Sequence, residues 1–133
     1  MSKLKGKPVK TKFSRVLLLA TIAACASGEA SAQQRPTKTG KQVFETVCQA
    51  CHLPGGVGDA GTYPALAKNP KLQNAQYPAY VVVNGLKAMP ALGALLNDAE
   101  IAGVVTYIRT NFGNKYNKPV TPEDIKALRK PVK

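Results

Sequence analysis

From residue 40 onward, apolar residues recur at helical spacing. Val43, Val47 and Cys51 fall four apart, and Phe44 and Cys48 form the neighbouring row. Residues 40–51 are therefore predicted to form an amphipathic helix, with Thr39 as its N-cap. Residues 53–61 (LPGGVGDAG) hold four glycines and a proline, a composition that predicts a loop. Residues 77–83 (YPAYVVV) would suit a helix with Pro78 in its first turn and Asn84-Gly85 at its end. The valine run would equally suit a strand, but no second strand pattern offers it a partner, so a short helix is preferred. Asn97 and Glu100 form a capping box ahead of a stripe made by Ile101, Val104, Val105, Ile108 and Phe112, which Gly113 ends. Gly103 lies inside this helix at a cost of about 1 kcal/mol relative to Ala, and it leaves room for another helix to approach. Thr121, Pro122, Glu123 and Asp124 announce a last short helix, about residues 122–129. The fold class is all-α.

The first 39 residues have a different pattern. Lys3, Lys5, Lys7, Lys10, Lys12 and Arg15 precede a short apolar run, Val16 to Ala24, and Ala30-Ser31-Ala32 then offers an A-x-A cleavage site. Residues 1–32 read as a secretory signal peptide. The apolar run is too short to cross a bilayer, which takes about 20 residues. Ile22-Ala23-Ala24-Cys25 resembles a lipobox, and cleavage there would leave an acylated Cys25. Cleavage before Gln33, giving a soluble periplasmic product, is the favoured reading. Residues 33–39 then form a polar, flexible leader to one domain over 40–133.

Charge is best judged without the export segment. The whole chain carries +12, whereas residues 33–133 hold 13 Lys and Arg against 6 Asp and Glu, a net +7. An exported basic protein does not meet the genome, so nucleic acid is excluded in favour of an acidic protein surface.

The chemistry is concentrated in Cys48-Gln49-Ala50-Cys51-His52. C-x-x-C-H is the attachment signature of a c-type haem. On a helix the two thiols share a face, where each can add to one porphyrin vinyl group, and His52 comes next as an axial ligand. A zinc site needs about four ligands. The chain has three cysteines and one histidine, and Cys25 lies in the segment expected to be removed. A dithiol redox site calls for a βαβ pattern that is not visible. A backbone carbonyl near Pro54 or Pro64 is expected to hold the second ring nitrogen of His52, and Leu66 to line the pocket. Met89 is the sole methionine besides the initiator, so it is the candidate sixth ligand, with Pro90 stiffening the chain beside it.

These pieces resemble the class I c-type cytochromes across nearly all of residues 33–133. The resemblance rests on Gly40 to Phe44, the Cys48 to His52 motif, the Gly-rich loop with Pro64 and Leu66, Asn84-Gly85 with Met89-Pro90, and the helix from Asp98 through Tyr107 to Arg109. It implies a small cytochrome c fold, with three to five helices around one covalent haem c. It also implies a close crossing of the first and last main helices at Gly40, Phe44 and Tyr107. The stretch from Tyr107 to Asn114 and on through Pro119 to Ile125 is similar to cytochromes that serve bacterial periplasmic dehydrogenases. The implied function is electron transfer without catalysis, between such a dehydrogenase and a terminal acceptor or oxidase. Cys48 and Cys51 would anchor the haem, and His52 and Met89 would ligate the iron. Lys68, Lys71 and Lys87 are candidates for steering an acidic partner to a carrier that is monomeric when free. Two alternatives remain open: a haem enzyme or gas-binding protein with a labile sixth position, and a fixed subunit of a dehydrogenase or oxidase.

Overall fold

The computed structural model describes residues 36–129. The expected export segment, residues 1–32, and the lipobox-like stretch ending at Cys25 lie outside these residues. Among the described residues there are four main helices, two short 3-10 turns at Pro54–Gly56 and Pro70–Gln73, and no strand; Asp59 with Tyr63 and Leu86 with Met89 form isolated bridges.

Helix α1 spans residues 40–52 in three segments, α-helical Gly40–Val43, a π-helical turn Phe44–Cys48, and α-helical Gln49–His52. Thr39 caps it in a full capping box with Gln42. The expected row of residues four apart misses the π turn, which widens the helix by one residue and ends at the first cysteine, Cys48. Helix α2 is Gln76–Asn84, so the valine run is helical, and Gly85 leaves it at φ 75°. Helix α3 is Asp98–Thr110, opened by the predicted Asn97–Glu100 box. Helix α4 is Pro122–Leu128, capped by Thr121. The Asp124 carboxylate accepts the Thr121 backbone N–H and hydroxyl, which holds its pKa below the ordinary value.

The α3 stripe is shorter than its sequence pattern predicts. The helix stops at Thr110, and Phe112 and Gly113 take left-handed backbone angles of φ 57° and 79°. This reversal folds the Phe112 ring back onto Phe44, at 4.8 Å between centroids, and onto Tyr107 at 5.5 Å. Tyr107 also lies 5.8 Å from Phe44, which closes an aromatic triad beside the α1–α3 contact.

One core runs through the described residues. Val43 and Phe44 of α1 meet Ile101, Val104, Val105 and Ile108 of α3, with Ala79, Val82 and Val83 of α2 and Ile125 of α4 completing it. The α1–α3 crossing is as close as backbones allow. A Cβ on Gly40 would stand 2.1 Å from the Gly103 carbonyl oxygen.

Irregular segments are tied by side chains that donate to backbone carbonyls. Arg109, 3% exposed, donates to the carbonyls of Leu72 (2.9 Å), Gln73 (3.3 Å) and Lys118. Its burial draws the guanidinium pKa downward. Asn114, also buried, donates to Leu66 O and Ile108 O, each at 2.8 Å, and accepts Asn69 N–H at 2.9 Å. Asn69 in turn donates to Ala65 O at 2.6 Å. The end of α3 is thereby fastened to residues 65–69.

Two outcomes are expected. Gly40→Ala should destabilise the fold by about 1–3 kcal/mol, because the new methyl group overlaps backbone that cannot rotate away. Gly103→Ala should cost less, since its Cβ meets Gly40 N at 3.2 Å and the helix gains about 1 kcal/mol of propensity. Denaturant midpoints decide, and equal losses would contradict the crossing geometry. Asn114→Ala should cost about 1–3 kcal/mol by orphaning buried carbonyls. Asn114→Asp, which keeps the acceptor but loses both donors, should not recover that loss.

Candidate functional site

The sequence motif sits on the last turns of α1. Cys48 and Cys51 are half-buried free thiols, three residues apart on the helix, and His52 is buried at its end. Burial and the neighbouring Cys51 push the Cys48 thiol up to about 11, so it is protonated near neutral pH.

The chain turns sharply after His52. Leu53 takes φ 61°, an unusual angle for a residue with a side chain, and caps the helix by donating its N–H to Gln49 O. The loop then closes on itself. Gly58 N–H donates to His52 O at 2.9 Å, and Gly56 O accepts from Leu66 and Ala67. Glycine is required at two of these positions. A Cβ on Gly58 would lie 2.5 Å from Tyr63 O, and one on Gly56 would lie 2.9 Å from the Phe112 ring; both residues also have positive φ. Leu66 packs against the core, with its Cβ facing Gly56.

This closure brings Pro64 O to 2.9 Å from His52 Nδ1. A carbonyl can only accept, so the contact holds the proton on Nδ1 and leaves the Nε2 lone pair for a metal. Of the two prolines singled out in the sequence, Pro64 supplies the carbonyl.

Met89 comes from a different part of the chain. It lies on the turn between α2 and α3, where Leu86 and Met89 exchange backbone hydrogen bonds of 3.0 Å, and it is partly buried. Cys48 and Met89 pack against the same core cluster. Lys68, Lys71 and Lys87 are exposed. Lys68 and Lys87 hold left-handed φ angles of 48° and 53°.

The donor set fits haem c. Two unpaired thiols, one imidazole with a free Nε2 and one thioether are the groups that attach and ligate it. Among the described residues no three His, Cys, Asp or Glu side chains gather as a metal-holding group. No described helix is long and apolar enough to cross a membrane. Sequence reasoning missed Asn114 and Asn69, which fix the carbonyls of Ala65 and Leu66 next to Pro64. Their only sequence signal is an Asn after each of two turns, and it does not name its acceptors.

Comparison with known proteins points the same way. The family described as "Cytochrome C oxidase, cbb3-type, subunit III" matches residues 35–108. The gluconate 2-dehydrogenase cytochrome c subunit of Pantoea cypripedii is 32% identical over 108 residues, covering 71% of this chain and 24% of that protein. The cytochrome c subunit of a quinone alcohol dehydrogenase from Gluconacetobacter polyoxogenes is 33% identical over 103 residues, covering 68% and 22%. The chain thus spans about a quarter of these dehydrogenase subunits. Cytochrome c6 of Picosynechococcus is 42% identical over 79 residues, covering 52% of this chain and 68% of that protein. The chain belongs to this cytochrome family, as a class I c-type cytochrome whose cofactor is covalently bound haem c.

Proposed function

We propose that this protein is a periplasmic single-electron carrier in which Cys48 and Cys51 anchor the haem and His52 and Met89 hold its iron. The observation that carries this reading is the Pro64 O to His52 Nδ1 contact, which leaves Nε2 free beside two unpaired thiols. When bound, haem c supplies reversible ferric/ferrous chemistry. The Pro64 carbonyl keeps His52 in one tautomer and one orientation. Met89 offers a soft sulfur, which favours the ferrous state over what a second imidazole would give.

The electron source we propose is a periplasmic dehydrogenase, in keeping with the names of two of the relatives, and the acceptor is a terminal oxidase. Exposed Lys68, Lys71 and Lys87 supply positive potential for an acidic docking surface. We assign the export segment to residues 1–32 and the electron-transfer domain to residues 40–133.

Two measurements test this reading. In protein matured in a periplasm, Met89→Leu should abolish the red-edge charge-transfer band of thioether-bound ferric iron. It should also lower the midpoint potential, within the roughly 0.8 V that axial ligands span. An unchanged spectrum and potential, with rapid carbon monoxide binding by the unaltered protein, would favour the gas-binding alternative. Electron transfer to the partner should slow steeply between about 0.01 M and 1 M salt, as the screening length falls from roughly 30 Å to 3 Å. Rates indifferent to salt would rule out lysine steering. Co-purification that survives high salt would favour a fixed subunit.

A further inference from the structure

Met89 lies on a segment with no helix of its own, between the end of α2 at Asn84 and the start of α3 at Asp98. Its outgoing limb is pinned to α2 by two hydrogen bonds, Leu92 N–H to Val82 O at 2.9 Å and Gly93 N–H to Val83 O at 3.2 Å. The other side of that limb is held by a side chain from the end of α4. The Arg129 guanidinium donates to Gly93 O, to Leu96 O at 2.9 Å and to the Asp98 carboxylate. The Gly93 residue is therefore gripped on both sides, by α2 through its N–H and by Arg129 through its C=O. No side chain fits there, since a Cβ on Gly93 would lie 2.8 Å from Val83 O and 3.4 Å from an Arg129 nitrogen. One residue earlier, Leu128 O accepts from Asn84 Nδ2 at 3.3 Å. The end of α4 thus touches the last residue before the Met89 segment and the first helical residue after it.

We propose that Arg129 is the positioning residue of the sixth ligand: as the clasp of the α4 brace, it sets how readily the Met89 segment opens. This rests on the assignment of Met89 as ligand. The physical reason is that a short irregular segment, held by a few hydrogen bonds and by Met89, Leu92 and Leu96 on the core, opens locally below the global unfolding free energy. A planar guanidinium can span three acceptors at once, which a lysine ammonium on a flexible stem cannot do with the same geometry. Without the clasp, the segment keeps its bonds to α2 and its apolar contacts with the core but loses the Arg129 tie to Asp98 and α4. Met89 then leaves the iron while the helices are still intact.

The test uses the full-length holoprotein with Arg129→Gln, Arg129→Lys, Asp98→Asn and Met89→Leu. Three readouts are compared: the thioether–ferric band on heating, helical circular dichroism on heating, and the rate of carbon monoxide binding to reduced protein. In Arg129→Gln the band should be lost at a temperature below the helix transition, and carbon monoxide should bind about tenfold faster, equivalent to about 1.4 kcal/mol in the opening equilibrium. Arg129→Lys should close part of that gap. Asp98→Asn, which spares both carbonyl contacts, should open a smaller one. If band and helix melt together in Arg129→Gln and the binding rate is unchanged, Arg129 is only structural and the proposal fails. Should Arg129→Gln not mature, Arg129→Lys and Asp98→Asn decide by the same criterion. An unaltered protein that lacks the band and matches Met89→Leu would overturn the ligand assignment, and the clasp with it.

Discussion

The close crossing of α1 and α3 is the constraint on which the site depends. Gly40 and Gly103 let two backbones meet with no side chain between them. That contact fixes the line of α1, and so where its other end delivers Cys48, Cys51 and His52. The aromatic triad locks the same crossing further along: Phe44 from α1 packs between Tyr107 of α3 and Phe112 beyond its end. The π turn Phe44–Cys48 begins at this ring. An extra residue in the turn rotates the remainder of α1, so the face presented by the two cysteines is set by a local departure from the helical repeat.

Much of this arrangement is legible in the sequence. The capping boxes at Asn97 and Thr121, the glycine stop at Gly85 and the interior Gly103 each have a local physical cause, and local causes can be read from neighbouring residues. The motif is legible because its chemistry depends on spacing within one turn of helix. The carbonyl of Pro64 is not. Its arrival at His52 needs Leu53 in a left-handed conformation, Gly56 and Gly58 in theirs, and a loop that returns over a distance of twelve residues. Every carbonyl has the same chemistry, so no residue type marks the one that will be used. The end of α3 departs from its sequence pattern for a related reason: Phe112 continues the apolar stripe in sequence but reaches the core by a chain reversal.

The same limit explains Arg109 and Asn114. Both are buried, and the hydrogen bonds they donate go to the backbone rather than to a carboxylate or another side chain. Their acceptors are main-chain oxygens of the short 3-10 turn Pro70–Gln73, of Leu66 and Lys118 in irregular segments, and of Ile108 in the last turn of α3. In a domain of four short helices, a large share of the backbone is irregular. Buried fork-shaped or amide side chains supply the hydrogen bonds that a sheet would supply elsewhere. Their cost is desolvation, visible in the lowered pKa of Arg109, and it is offset by acceptors whose geometry is fixed by the loops they tie.

The two proposed ligands are supported in different ways. His52 belongs to a helix, comes directly after two covalent anchor points, and has its second nitrogen bonded to a loop that Asn114 fastens to α3. Met89 belongs to a turn held by backbone bonds to α2 and by one guanidinium from the end of α4. Opening the first support requires breaking the α1 packing; opening the second releases a segment held by a few hydrogen bonds and by Met89, Leu92 and Leu96 against the core. A ligand set built this way has one end fixed by covalent and core structure and the other set by the free energy of a local opening. The reduction potential of the bound group weighs ferric against ferrous affinity for both ligands. Anything that loosens the Met89 side therefore shifts the balance toward ferric iron without touching the motif that attaches the haem.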